Sequence, residues 1–383
     1  MTDSILLTPG PTQVPERARQ AMARALIHHR TPAFTQVMRA VQRGLKWLYQ
    51  TEQDVLALTC SGTGTFEAAM INFSRKDDTI VCIGGGKFGE RWAEIGRAYG
   101  MRVLEMELEW GQAATPDALG ALLAANPEVR MVTVCASETS SGVYHPVEQL
   151  CQVVRQQTPE ALTVVDGITA VGVHPLPMDA WGIDVLVTGS QKALSVPPGM
   201  GFLAASARAW ARQADSDHPK YYLDLARERA KQDNGQTAFT PAISVALALE
   251  VVLQMMQEEG LESIHDRHRT HARAARAAVV AMGLEPLTDS PSFATTAALL
   301  PEGIDAPSVV KTCRDVYGVT MAGGQDHLKP RLVRIGHLGF VSSYDVLAGL
   351  SALERALRDH GHEAPPGAGL TAAQEVYLTS APR

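Results

Sequence analysis

The chain has 383 residues, 45% of them hydrophobic, enough to bury a large core and to divide into more than one domain. Its 34 Lys and Arg against 41 Asp and Glu give a formal net charge of -7, with no basic stripe, which argues against a nucleic-acid partner. No window stays apolar long enough to span a bilayer, and Met1 to Pro9 holds no basic segment followed by a long apolar stretch, so a cytoplasmic protein without a membrane partner is expected.

Strand-like runs at Val55 to Thr59, Thr79 to Ile83, Arg102 to Leu108, Met131 to Cys135, Leu162 to Val165, Ile183 to Val187 and Gly201 to Ala205 alternate with helix-like ones. That rhythm predicts an α/β fold, a mostly parallel sheet flanked by helices. The gap from Lys192 to Gly201 is too short for a crossover helix, so the last strand should run antiparallel to its neighbour in sequence. Before the sheet, His29-Arg30-Thr31-Pro32 reads as a helix start with Thr31 as cap. A helical stretch from about Ala242 to Ala281 leads into Thr295 to Leu300, a helix near Ala306 to Tyr317, strands at Val319 to Ala322 and Leu332 to Ile335, and a helix near Ser343 to His360, a smaller α+β domain. The stretch after Glu363, with Pro365-Pro366-Gly367, has the composition of a linker or mobile terminus. The expected organisation is an N-terminal arm (1–14), a large domain (15–258), a small C-terminal domain (259–362) and a tail (363–383).

Chemistry concentrates on two residues. Asp166 follows the apolar run ending at Val165, and Lys192 lies in Gly189-Ser190-Gln191-Lys192 just past another. A lysine at the mouth of a parallel sheet can form a Schiff base with pyridoxal 5'-phosphate, and an upstream aspartate can keep the pyridine nitrogen protonated. The lysine must shed its charge readily and carry a proton to and from a substrate carbon, which an arginine could not do. Taken singly, each residue reads as a surface lysine or a turn aspartate; the pairing makes the case.

Two glycine-rich turns compete for a phosphate. Ser61-Gly62-Thr63-Gly64-Thr65 lies between a strand and a helix, where backbone N–H groups and the helix terminus favour an anion, although a threonine-capped turn would look similar. Gly84-Gly85-Gly86-Lys87-Phe88-Gly89 spells a dinucleotide fingerprint, but a dinucleotide would leave Asp166 and Lys192 without a role. His265, His268 and His271 recur every three residues among arginines and read as a solvated helix face, with no metal expected. Cys60, Cys82, Cys135, Cys151 and Cys313 form no close pair and read as reduced thiols. Arg334 ends an apolar strand, where its guanidinium can grip an α-carboxylate; Arg331 nearby reads as a solvated edge charge.

These motifs, with Thr8-Pro9-Gly10-Pro11-Thr12, Ser137-Glu138-Thr139-Ser140-Ser141-Gly142 and Arg334-Ile335-Gly336-His337-Leu338-Gly339, resemble the class V aminotransferases of PLP fold type I, in the alanine-glyoxylate and serine-glyoxylate (serine-pyruvate) group. The resemblance implies a seven-stranded sheet, pyridoxal phosphate as cofactor, and a ping-pong exchange between a small amino acid, alanine or serine, and a 2-oxo acid, glyoxylate or pyruvate. It implies a homodimer with shared sites. Thr63, Gly64 and Thr65 would hold the phosphate, and Phe88 would stack on the ring where relatives close to the animal enzymes carry Trp. Ile168 would cover the other face, Thr139 would reach the ring oxygen or substrate, and Gln191 would sit beside the phosphate or ring oxygen. Thr139 lies equally in a turn-forming cluster. Gln236, Thr237 and Thr240 would reach the neighbouring subunit's cofactor, or else merely form a loop ahead of the next helix. Arg334 and Gly10 would meet the substrate. Cysteine desulfurase, a rival within the fold, needs a histidine where Gln191 stands and a cysteine on a mobile loop, whereas Cys313 lies in a helix-like run. An inactive regulatory subunit is the non-enzyme alternative.

Overall fold

The computed structural model describes residues 5–380. Seven strands, β1 (Val55–Leu58), β2 (Thr79–Ile83), β3 (Arg102–Met106), β4 (Val129–Cys135), β5 (Leu162–Asp166), β6 (Val185–Gly189) and β7 (Gly201–Ala205), form one sheet in the order β1-β7-β6-β5-β4-β2-β3. Every residue of β1, β2, β5, β6 and β7 is buried. Strands covered on both faces need apolar side chains on both, which is why these runs read as continuous rather than alternating.

The expected reversal is present: β7 pairs antiparallel with both β6 and β1, and the other pairings are parallel. The carboxyl ends of β1 to β6 and the beginning of β7 therefore share one edge. Gly201, at that beginning, packs so closely that a Cβ would lie 2.4 Å from Thr65 Cγ2 and 3.0 Å from Cys60 Sγ. Separate apolar clusters fill the two faces, one around Phe34, Tyr49 and Leu249, the other around Phe66, Phe73 and Trp92. The helix Pro32–Tyr49 starts as its sequence dictates, with the Thr31 hydroxyl accepting from Phe34 N.

The stretch expected to be helical from 242 to 281 is two helices, Ile243–Glu259 and Leu261–Ala281, parted by Gly260 at φ 83°. A left-handed φ cannot continue an α-helix, and glycine adopts it without steric cost. Beyond it Glu285–Pro286, Thr295–Leu299, Leu332–Gly336 and Ala322–Gly323 make a four-stranded antiparallel sheet. Val319–Thr320 leaves that sheet and pairs in parallel with Ile5–Leu6. Leu7 thereby joins the apolar cluster of Val333, Ile335 and Leu353.

At two places the structure departs from the sequence pattern. The tail is no loose linker: Ala368–Thr379 is a helix, Ala373 is fully buried, and the Tyr377 hydroxyl lies 2.9 Å from His271 Nδ1. The Pro-Pro-Gly run is only the turn before it, with Gly367 at φ 78°. His265, His268 and His271 do not form a solvated face but are buried. His268 Nδ1 is 2.7 Å from Ile264 O and its Nε2 accepts from Gly339 N at 3.0 Å, so the ring carries its proton on Nδ1. His271 Nε2 lies 3.1 Å from Val341 O. The 337–341 segment folds back over this face, a long-range event that local spacing cannot reveal. Among the described residues, no group of three His, Cys, Asp or Glu could hold a metal ion, and no helix is long and apolar enough to cross a membrane.

Candidate active site

The shared sheet edge gathers Asp166 from the end of β5, Lys192 from the turn after β6, the Ser61 turn after β1 and the Ser137 loop after β4. Together with Gly10 and Pro11 they surround a cavity of about 320 Å³. Lys192 is only 8% exposed and its Nζ donates to the carbonyl oxygen of Pro9. Burial pulls its pKa down to about 8, against the opposing pull of the Asp166 carboxyl. Asp166 is buried too, and burial pushes it up to about 7 although its Oδ1 accepts from Ile168 N at 2.9 Å. The amine is thus brought within reach of the neutral form that attacks a carbonyl.

The cavity walls carry the other chemistry. Phe88 and Ile168 face it, and Lys192 Nζ lies 6.0 Å from the Phe88 ring centroid. At the Ser61 turn the Ser61 hydroxyl accepts from Gly64 N at 3.4 Å. The N–H groups of Gly62 and Thr63, at the start of helix Gly62–Phe73, take no protein partner among the described residues. A Cβ on Gly62 would lie 2.4 Å from Ile168 Cδ1, so glycine keeps this corner open. An amine, a carboxyl, an aromatic and an aliphatic wall, and an N–H cradle for an anion fit pyridoxal phosphate.

Other sequence-predicted residues fall at different distances from this centre. Thr139 and Gln191 line the cavity. Thr65 and Gly64 do not, and the buried Thr65 hydroxyl donates to Gly62 O at 2.6 Å. Arg334 stands behind the wall with Nε donating to Gly323 O and Nη1 to Thr139 O, both at 2.8 Å. Its Nη2 has no protein partner among the described residues, and burial lowers its pKa to about 10. Gln236, Thr237 and Thr240 lie outside the cavity. Gln236 Oε1 accepts from Arg30 at 3.0 Å, the Thr237 hydroxyl donates to Phe239 O at 2.6 Å, and Thr240 borders a separate pocket with Tyr222 and Phe239.

Several site residues escaped the sequence reading. Cys135 lines the cavity opposite Asp166 in register, with burial raising its thiol well above the usual range. Arg91 also lines it, 4.9 Å from the Phe88 ring centroid and donating to the Thr63 hydroxyl at 3.2 Å. Glu138 is fully buried, and its Oε2 accepts from Phe88 N and Gly89 N at 3.0 Å each. This carboxylate occupies the helix terminus that the glycine fingerprint would offer a dinucleotide, and a Cβ on Gly86 would lie 2.3 Å from Glu138 Cγ. The glycines make room for the chain's own anion. Cys313 is buried inside helix Ala306–Asp315, its thiol pushed up to about 12, unlike a mobile nucleophile.

A mostly parallel seven-stranded sheet with a lysine and an aspartate at its carboxyl edge defines a pyridoxal-phosphate enzyme of fold type I. The chain belongs to the class V aminotransferases: the model of the family Aminotransferase class-V matches residues 6–342. It is 43% identical to a soluble hydrogenase 42 kDa subunit of Anabaena cylindrica, covering 97% of this chain and 98% of that protein. It is 30% identical to a serine–glyoxylate aminotransferase of Methylorubrum extorquens, covering 98% and 96%. Among solved structures, pyridoxamine-pyruvate aminotransferase from Mesorhizobium loti superposes with a TM-score of 0.94 at 28% identity, covering 99% of this chain and 98% of that one. The protein is a PLP-dependent aminotransferase.

Proposed function

We propose that this enzyme moves the amino group of a small amino acid, alanine or serine, to glyoxylate or pyruvate, the two substrates using one site in turn. The observation that carries the reading is the enclosure of Lys192 and Asp166 in a single cavity beside N–H donors that, among the described residues, no protein group accepts from. Bound pyridoxal phosphate supplies an electron sink for the carbanion that forms when the substrate Cα loses its proton.

The remaining work falls to the chain. Lys192 Nζ takes the proton from the substrate Cα and returns it one position along, which needs an amine free of charge near neutral pH. Asp166 would face the ring nitrogen of the bound cofactor and keep it protonated. Phe88 and Ile168 would bracket the ring, and Gly62 and Thr63 N–H with the Thr63 hydroxyl would hold the phosphate, Gly64 and Thr65 shaping that turn. Thr139 and Gln191 would address the ring oxygen, and Gly10 would close the substrate side. Arg334 offers its remaining Nη2 to the substrate carboxylate, fixing which Cα bond stands across the ring. Gln236, Thr237 and Thr240, outside this cavity, would serve the cofactor of a second subunit in a cytoplasmic homodimer.

The test is a donor screen. Alanine with glyoxylate should yield pyruvate and glycine, and serine should yield hydroxypyruvate. Sulfide from cysteine without keto acid would instead make the protein a desulfurase, and failure to bind added pyridoxal phosphate would make it an inactive subunit.

A further inference from the structure

We propose that Glu138 is the positioning residue for Phe88, holding the first turn of helix Lys87–Ala98 so that the aromatic ring stands over the lysine. This deepens the proposed function and rests on its reading that Phe88 stacks on the cofactor.

Three successive backbone N–H groups of that turn end on one pair of side chains from the opposite loop. Lys87 N donates to Ser140 Oγ at 3.0 Å, and Phe88 N and Gly89 N donate to Glu138 Oε2. The second carboxylate oxygen accepts from Ser140 N at 3.0 Å and Ser140 Oγ at 2.6 Å, so both oxygens are engaged. A buried acceptor with this many donors has one favourable position, and it transmits that position to the backbone on which the ring is carried. Gly86 and Gly89 leave no slack: a Cβ on Gly89 would lie 2.5 Å from Ile83 O. The Arg91 guanidinium lies 4.9 Å from the centroid of the ring itself. Thr139, between Glu138 and Ser140, takes Arg334 Nη1 on its carbonyl, so the same short segment sets the ring wall and the guanidinium.

An ordinary helix cap would stabilise the fold without coupling to the cofactor, and a double-mutant cycle separates the two. The dissociation constant of pyridoxal phosphate is measured by equilibrium dialysis for the wild-type, Glu138→Gln, Phe88→Ala and doubly substituted proteins. Each single change is expected to weaken binding about tenfold, in the range of one lost aromatic contact. The double variant should also sit near tenfold, because a positioning residue has nothing left to position. A double variant near one hundredfold, or a Glu138→Gln protein that binds normally while Phe88→Ala does not, overturns the inference alone. Unchanged binding by Phe88→Ala removes the stacking reading and the inference with it. Should Glu138→Gln not fold, Ser140→Ala replaces it in the cycle, expected to weaken binding about threefold and not at all on the Phe88→Ala background.

Discussion

Lys192 rests against the N-terminal arm: its Nζ donates to the carbonyl oxygen of Pro9, and a Cβ on the next residue, Gly10, would lie 2.7 Å from that same nitrogen. Gly10 also holds φ at 124°, a conformation side chains avoid. Gly10→Ala is expected to push the amine from its resting place and lower kcat at least tenfold, with a backbone strain of about 1–3 kcal/mol. Steady-state keto acid release and urea unfolding measure the two effects separately.

Lys192→Arg keeps the charge and removes the chemistry. A guanidinium neither loses its proton near neutral pH nor condenses with an aldehyde. Transamination should fall by about 10²–10⁴ or more, and bound pyridoxal phosphate should come away on simple dialysis. Retention of the cofactor through dialysis would contradict the assignment.

The two buried ionisable groups make the cofactor-free protein pH-sensitive in opposite senses. Asp166 titrates near 7 in the fold against a usual 3.8, so between those values the native state holds a proton the unfolded chain has lost, and stability falls as pH rises through that window. Lys192 titrates near 8 against a usual 10.5, so above pH 8 the unfolded chain holds the extra proton and stability rises with pH up to about 10.5. Urea midpoints of the cofactor-free protein should trace this trough. Asp166→Asn should flatten its acid side, and a profile that still declines from pH 4 to 7 would refute the assignment.

Arg334→Lys tests the carboxylate grip. Lysine keeps the charge but not the planar fork, and it leaves the carbonyls of Gly323 and Thr139 short of donors. The KM for the amino donor should rise about tenfold or more. A change in kcat alone would place the arginine elsewhere in the mechanism.

The C-terminal helix should matter to stability. Tyr377→Phe removes the hydroxyl from His271 Nδ1 and should cost about 1 kcal/mol. Removing residues 367–383 uncovers Met282 and the buried faces of neighbouring helices and should lower Tm further. Neither change should alter the donor KM.

The sheet was legible because its strands are buried on both sides and therefore uninterrupted in hydrophobicity, and the reversal of β7 followed from the length of the loop holding Lys192. Asp166 and Lys192 were legible because their residue types carry the chemistry. What stayed hidden depends on partners distant in sequence. Glu138 binds main-chain N–H groups about fifty residues earlier, and a main-chain donor leaves no mark in the sequence. The three histidines of helix Leu261–Ala281 are interleaved with Arg269 and Arg273, which do face water, and the partners that engage His268 and His271, Gly339, Val341 and Tyr377, come from about seventy to a hundred residues further along. The tail was misread because Pro-Pro-Gly dominated a segment whose helix formers, Ala, Leu, Gln and Glu, come just after it.

The absent side chain at Gly201 makes the hairpin after Lys192 and the turn beginning at Cys60 a single mechanical block. Neither loop can drift in evolution without a matching adjustment of the other. A larger residue there would press on Thr65, Cys60 and the Ser61 carbonyl, the turn whose next N–H groups form the cradle for the anion.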